Sequence, residues 1–76
     1  MKIFYKNFLD LRKSTCPDTI MFLRQKIRHI ACKELLLVLS NDVSTKRDIP
    51  IFCYFMNHIL VEYYICNTPY RYLLQK

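Results

Sequence analysis

Apolar positions along the chain fall alternately at strand and at helical spacing. Lys6 to Leu11 is modestly apolar and reads as an edge strand, with the polar stretch Asp10 to Thr15 as the loop that leaves it. Ile20, Leu23, Ile27 and Ile30 then recur at i, i+3, i+7 and i+10, which makes one stripe of an amphipathic helix. Pro17 suits the opening of that helix, because its fixed φ fits the first turn and its missing N–H is not needed there. Arg28 and His29 suit its close, where positive charge meets the negative end of the dipole. Arg24, Gln25 and Arg28 lie off the stripe and are expected in solvent.

Glu34 to Ser40 contains the unbroken run Leu35-Leu36-Leu37-Val38-Leu39, which predicts a buried central strand. Its few β-branched residues leave a helix as the competing reading. Asn41-Asp42 ends it. Thr45-Lys46-Arg47-Asp48 with Pro50 signals a second helix, whose core face is expected at Phe52, Phe55, Met56 and Ile59. Leu60 to Ile65 is rich in branched and aromatic residues and reads as a strand. Asn67-Thr68-Pro69 turns the chain, and Tyr70 to Leu74 returns as the second strand of a hairpin.

The order is therefore β-α-β-α-β-β. The compact solution is an α+β two-layer sandwich, with two helices packed on one face of a four-stranded mixed sheet. A right-handed first crossover is expected if its strands are parallel. With 76 residues, a single domain spanning 1–76 is expected. The chain has no glycine, so its turns must use other residues, and Asn7, Asn41, Asp42 and Asn67 are the best placed to tolerate left-handed dihedrals.

Charge adds a bias toward acidic partners. Twelve Lys and Arg against six Asp and Glu give a net charge of +6, which favours tRNA, an anionic membrane or an acidic protein, with a solvated surface as the plainer reading. Ile49 to Cys66 carries only Glu62 as a formal charge, yet Pro50, Asn57 and His58 interrupt it, and a span needs about 20 predominantly apolar residues. No membrane segment is expected. The charged start Met1 to Lys6 lacks the apolar stretch of a secretory signal, so a cytoplasmic chain with separate thiols is expected.

The cysteines are Cys16, Cys32, Cys53 and Cys66, with no C-x-x-C pair, which argues against a zinc ribbon or a dithiol redox site. Cys16-Pro17 lies at a loop-to-helix junction. Only a thiolate attacks a persulfide or disulfide, and a free cysteine titrates near roughly pH 8.5. Unpaired N–H groups and the helix dipole favour the anion there, while Asp18 opposes it, so modest activation is expected. The plainer alternative is a small apolar residue that precedes a proline. Cys32, Cys53 and Cys66 are expected as core or strand residues, with Cys53 buried and inert.

Little else in the sequence carries chemistry. His29 and His58 have no ligand-spaced partner and read as a helix-end or packed histidine. No paired acids, phosphate loop or serine triad can be assembled, so neither metal nor cofactor is expected. Cys16 has no local base, which fits a carrier served by a partner enzyme better than an enzyme with its own turnover. Arg24, Lys26 and Arg28 are candidate docking charges on the first helix. Tyr63, Tyr64, Tyr70 and Tyr72 with Arg71 invite base stacking. Cross-strand aromatic pairing is the favoured reading, because the basic residues nearby are scattered.

Taken in order, these blocks resemble one family. Cys16-Pro17-Asp18-Thr19 resembles the C-P-x-P motif of the TusA/SirA-like sulfur carriers. Thr45-Lys46-Arg47-Asp48-Ile49-Pro50 followed by Phe52-Cys53 looks like that family's T-x-R-D-I-P-x-F-C segment. Phe55-Met56, His58, Leu60-Val61 and the close Pro69-Tyr70-Arg71-Tyr72-Leu73 continue the likeness, which runs from about Leu9 to Lys76. The resemblance implies the same two-layer sandwich. It also implies that Cys16 accepts a persulfide sulfur from an IscS-like cysteine desulfurase. The sulfur then passes to a TusBCD-type relay leading to 2-thiouridine at the tRNA wobble position. On this reading the chain is monomeric when free, with no stable direct contact to nucleic acid or membrane. Alternatives are a small basic RNA-binding module, or a regulatory protein-interaction module without sulfur transfer.

The chain departs from the family pattern in several places. Thr19 replaces the second proline, and Lys13-Ser14-Thr15 replaces glycine-leucine-arginine. Lys33 and Ile51 stand where glycine is usual. Loss of the basic residue at Thr15 is expected to weaken thiolate stabilisation or docking.

Overall fold

The computed structural model describes residues 7–15 and 18–76. Among these residues the elements are β1 (Asn7–Leu11), α1 (Asp18–Arg28), β2 (Leu35–Ser40), α2 (Thr45–Met56), β3 (Ile59–Tyr64) and β4 (Tyr70–Gln75). They form a four-stranded sheet in the order β1-β2-β4-β3. β1 runs parallel to β2, with Asn7 opposite Leu36 and Leu11 opposite Ser40. β4 pairs antiparallel with both β2 and β3, so β1, β2 and β3 all point the same way. The sheet is mixed and the β-α-β-α-β-β order holds, as the apolar pattern predicts. The expected helix-opening role of Pro17 lies outside the described residues.

Alternation along each strand settles which face is covered. Leu11, Leu36, Val38, Tyr70, Tyr72 and Leu74 share one cluster with Leu23 and Ile27 of α1 and with Ile49, Phe52 and Cys53 of α2. Leu35, Leu37 and Leu39 point the other way and are only half-buried. The five-residue apolar run therefore makes a central strand covered on one face, not on two. The reason is that both crossover helices lie on the same side.

Helix α1 follows its stripe closely. Leu23, Ile27 and Ile30 are buried, Ile20 packs at the margin, and Arg24, Gln25 and Arg28 are exposed. Helix α2 does not follow the expected one. Its buried residues are Thr45, Ile49, Phe52 and Cys53, at i, i+4, i+7 and i+8. Phe55 falls about 100° off that stripe and is exposed. Met56 ends the helix with its side chain largely out, and Ile59 already belongs to β3. Asn57, in the left-handed region at φ 59° and ψ 38°, stops the helix. Pro50 sits inside α2 and leaves the Lys46 carbonyl without its i+4 donor.

The turns use other residues than those expected. Among the described residues, Lys33 at φ 71° and Asn57 carry the positive φ values, and Thr68-Pro69 is a cis peptide. Asp42 instead organises the entry to α2. Its carboxylate accepts the Ser44 N–H at 3.0 Å, and its carbonyl accepts the Thr45 hydroxyl at 2.6 Å. Because that proton goes to Asp42, the buried Tyr72 hydroxyl donates to Thr45 Oγ1 at 3.0 Å. This chain of bonds pins α2 to the central strand β4. Among the described residues, no helix is long and apolar enough to cross a membrane.

Candidate functional site

The strand directions put several termini at one end of the molecule. β1, β2 and β3 finish there, and α1, α2 and β4 begin there. Cys16 and Pro17 lie outside the described residues, but their neighbours in the chain belong to this end. Ser14 N–H donates to the Leu11 carbonyl at 3.0 Å, closing the turn after β1. The Thr15 carbonyl accepts the N–H groups of Asp18 at 2.8 Å and Thr19 at 3.3 Å, which starts α1.

Polar contacts fix the rim of this end. Arg12 makes a two-pronged bond to Asp10, Nε to Oδ1 at 2.9 Å and Nη2 to Oδ2 at 2.7 Å. Those hydrogen bonds, with the Arg12 backbone N–H, hold the Asp10 carboxyl down to about 2. Asn41 Nδ2 reaches the Arg12 carbonyl at 3.4 Å and links the end of β2 to the same turn. At the start of α2, Lys46 Nζ stands 4.8 Å over the Tyr70 ring, and Arg47 pairs with Asp48 at 3.1 Å. Thr19, where the family motif has proline, is buried in the first turn of α1, and its hydroxyl has no hydrogen-bond partner.

Of the three docking candidates on α1, Arg24 and Arg28 stand one turn apart on its exposed side, while Lys26 lies round toward β1. Arg24 lines a cleft of about 390 Å³ between the two helices, with Ile20, Asp48, Ile51, Phe52, Phe55 and Met56. Lys26 is half-buried and lines a different groove between α1 and the edge strand β1. Arg28 is exposed and lines neither. The apolar wall of the interhelical cleft is what the sequence reading missed, since it placed Phe55 and Met56 in the core. The phase of Ile49, Phe52 and Cys53 is the signal that would have moved Phe55 to the surface.

The remaining candidates divide clearly. Cys53 is buried, and burial pushes its thiol up to about 11. Cys32 and Cys66 were expected in core or strand, yet both are exposed in loops, because the strands beside them start later and stop earlier than their apolar flanks suggest. Cys32, Cys53 and Cys66 are free thiols. His58 packs against Phe52 with ring centroids 5.8 Å apart, while His29 is exposed at the end of α1. No group of three metal-ligating side chains occurs among the described residues.

The tyrosines do not make a stacking platform. Tyr70 and Tyr72 are buried under the helices, while Tyr63 and Tyr64 are exposed. Tyr63 lies opposite Tyr72, which is a cross-strand pair. Tyr64 takes Arg71 over its ring at 5.3 Å.

Comparison with known proteins adds the following. A family model described as "Sulfurtransferase TusA" matches residues 7–76. A curated relative, the sulfur carrier protein TusA of Buchnera aphidicola subsp. Baizongia pistaciae (strain Bp), is 50% identical over 70 residues, covering 92% of this chain and 89% of the relative.

Proposed function

The chain belongs to the TusA family of sulfur carriers, and we propose that within it Cys16 is the residue that accepts and hands on the sulfur. The observation that carries this reading is a family match running through residues 7–76, a span that contains both Cys16-Pro17 and the Thr45-to-Cys53 block. The chemistry is a pair of exchanges at sulfur. The Cys16 thiolate attacks the outer sulfur of a persulfide on a cysteine desulfurase. The donor's S–S bond breaks, and the donor cysteine leaves as a thiolate. Cys16 then holds the sulfur as a persulfide anion. A thiolate of the next protein attacks the terminal sulfur, and the Cys16 thiolate leaves in turn. The sulfur moves at constant oxidation level, so neither oxidant nor reductant is consumed.

What this chain contributes is position and charge. Helix α1 begins at Asp18, two residues beyond Cys16 in sequence, and the start of a helix favours an anion through its N–H groups and dipole. The interhelical cleft, apolar with Arg24 at its wall, is a surface on which the desulfurase docks. The Cys53 thiol is kept out of the relay by its burial, which hides it from a partner and also raises its pKa.

We extend the reading to an IscS-like desulfurase as donor, a TusBCD-type complex as acceptor, and 2-thiouridine at the tRNA wobble position as the destination, all in the cytoplasm. On this reading the transfer calls for no resident cofactor, and the chain acts as a carrier rather than an enzyme with its own turnover. The test is a reconstitution with desulfurase, labelled cysteine, relay proteins and tRNA. Label is expected in the wobble uridine with the wild-type chain and not with Cys16→Ser. Equal labelling with and without the chain would overturn the relay assignment.

A further inference from the structure

β3 forms one side of the sheet and, among the described residues, pairs only with β4. Lysine, proline or a bulge usually guards such an edge against another strand. β3 has the bulge alone. Its six residues carry a single charge, Glu62, and Ile59, Val61, Tyr63 and Tyr64 are exposed. The bulge lies between Leu60 and Glu62 and shifts the alternation of side chains. Ile59, Glu62 and Tyr64 stand opposite Gln75, Leu73 and Arg71 on the open face of the sheet. Leu60 and Tyr63 stand opposite Leu74 and Tyr72 on the helix-covered face. Beside the start of β3 lies a groove of about 550 Å³, lined by Tyr54, Phe55, Asn57, His58 and Ile59.

From this geometry we propose that β3 pairs antiparallel with β3 of a second copy of the chain, across a two-fold axis, and joins the two sheets into one. The axis falls between residues 61 and 62. That register sets Ile59 opposite Tyr64 of the second copy on the open face, and Leu60 opposite Tyr63 of the second copy on the helix-covered face. Moving the axis onto residue 62 would set Glu62 against Glu62, and Leu60 against a Tyr64 that faces the other way. In the matched register both bulges lie at the axis, so the two strands bend at the same place. Tyr63, 59% exposed, comes beside Leu60 of the other copy, next to the groove under Tyr54, and the symmetry repeats the exchange on the other side. Ring and groove thus lie on one edge, at positions that a two-fold axis interchanges, which selects a second copy as the occupant. A strongly charged partner gains little from an edge whose one charge falls opposite Val61. Six residues give about 20 Å of edge, short of the roughly 800 Å² per partner of a standard interface, so the pair is transient. The resemblance to sulfur carriers implies a free monomer, and this edge makes that monomer one side of an equilibrium. Two copies at +6 repel each other, so added salt strengthens the pairing. Because the strands run antiparallel, the ends at which both helices begin lie at opposite poles of the pair and stay open to other partners.

The test uses the full chain under reductant, read by sedimentation equilibrium and by amide chemical shifts against concentration. Reductant keeps disulfides between exposed cysteines out of the result. A reversible monomer–dimer equilibrium is expected between micromolar and millimolar chain, strengthening with salt, with shifts confined to β3 and residues 54–58. In a mixture of labelled and unlabelled copies, intermolecular nuclear Overhauser effects are expected between Leu60 and Tyr63 and between Ile59 and Tyr64. Tyr63→Ala removes the ring and Tyr54→Ala opens the groove. Both positions are exposed, so each variant is expected to keep its fold and to weaken pairing about tenfold. A chain that stays monomeric at millimolar concentration, shifts that map to β1 or to the interhelical cleft, or undiminished pairing in either folded variant would each overturn the proposal. So would pairing that weakens with salt. No sulfur donor enters the measurement, so failure here leaves the carrier reading standing, and failure of sulfur loading leaves the β3 edge untouched.

Discussion

Lys33 holds φ at 71°, where its Cβ crowds the following carbonyl. Its backbone is tied down from both sides: its N–H donates to the Lys76 carbonyl at 3.3 Å, and its carbonyl accepts Gln75 Nε2 at 2.9 Å. Those bonds fix the chain's path into β2, and glycine would keep them without the crowding. Lys33→Gly is expected to raise stability by about 1 kcal/mol, after the extra freedom glycine has when unfolded is set against the relief. A loss of stability in urea unfolding would contradict this. His58 is a second residue whose setting makes a measurable claim. Its Nδ1 is buried without a partner, and burial, then the nearby Lys76 charge, lowers its pKa below the usual 6.5. The unfolded chain therefore binds the proton more readily than the folded one. The contribution is present above 6.5 and is lost as pH falls through the window below it. His58→Gln is expected to flatten that part of the stability-against-pH curve, and an unchanged slope would contradict the assignment.

At the scale of elements, α2 separates packing from exposure on one helix. Phe52 is 6% exposed and Phe55 is 74% exposed. Phe52→Ala is expected to cost about 3–5 kcal/mol by opening a cavity beside the sheet. Phe55→Ala is expected to change stability by no more than about 0.5 kcal/mol. It is nevertheless expected to slow sulfur loading from the desulfurase, because it strips the wall of the interhelical cleft. Similar stability losses for the two, or unchanged loading kinetics in Phe55→Ala, would contradict this division. α1 was readable from sequence because Ile20, Leu23, Ile27 and Ile30 repeat at helical spacing, whereas the exposed Met21 and Phe22 have no apolar neighbour a turn away on their own faces. α2 was not, because Phe52, Cys53, Phe55 and Met56 offer apolar residues on several sides, and composition cannot choose the phase. β2 misled in the same way, since an unbroken apolar run is equally compatible with one or two covered faces.

For the whole molecule, the element order and the layering were legible because strand and helix spacings alternate cleanly and a chain this short has few ways to bury them. The grooves were not legible, because each is lined from more than one element, Arg24 and Phe55 sharing one and Leu9 and Phe22 the other. The sheet directions gather the starts of both helices and the loop that leads into Cys16 at one end, with a groove on either flank of α1. The Cys53 thiol, pushed up to about 11, lies on the buried face of α2, while Cys32 and Cys66 lie in exposed loops. Of the four cysteines, Cys16 alone is proposed to carry sulfur. The measurement that meets it most directly is intact mass without reductant, after incubation with a matched cysteine desulfurase and cysteine. The wild-type chain and the variant with Cys32, Cys53 and Cys66 all changed to serine are each expected to gain one sulfur atom, and Cys16→Ser none. A sulfur gained by Cys16→Ser, or none gained by the wild-type chain beside an active desulfurase, would contradict the account.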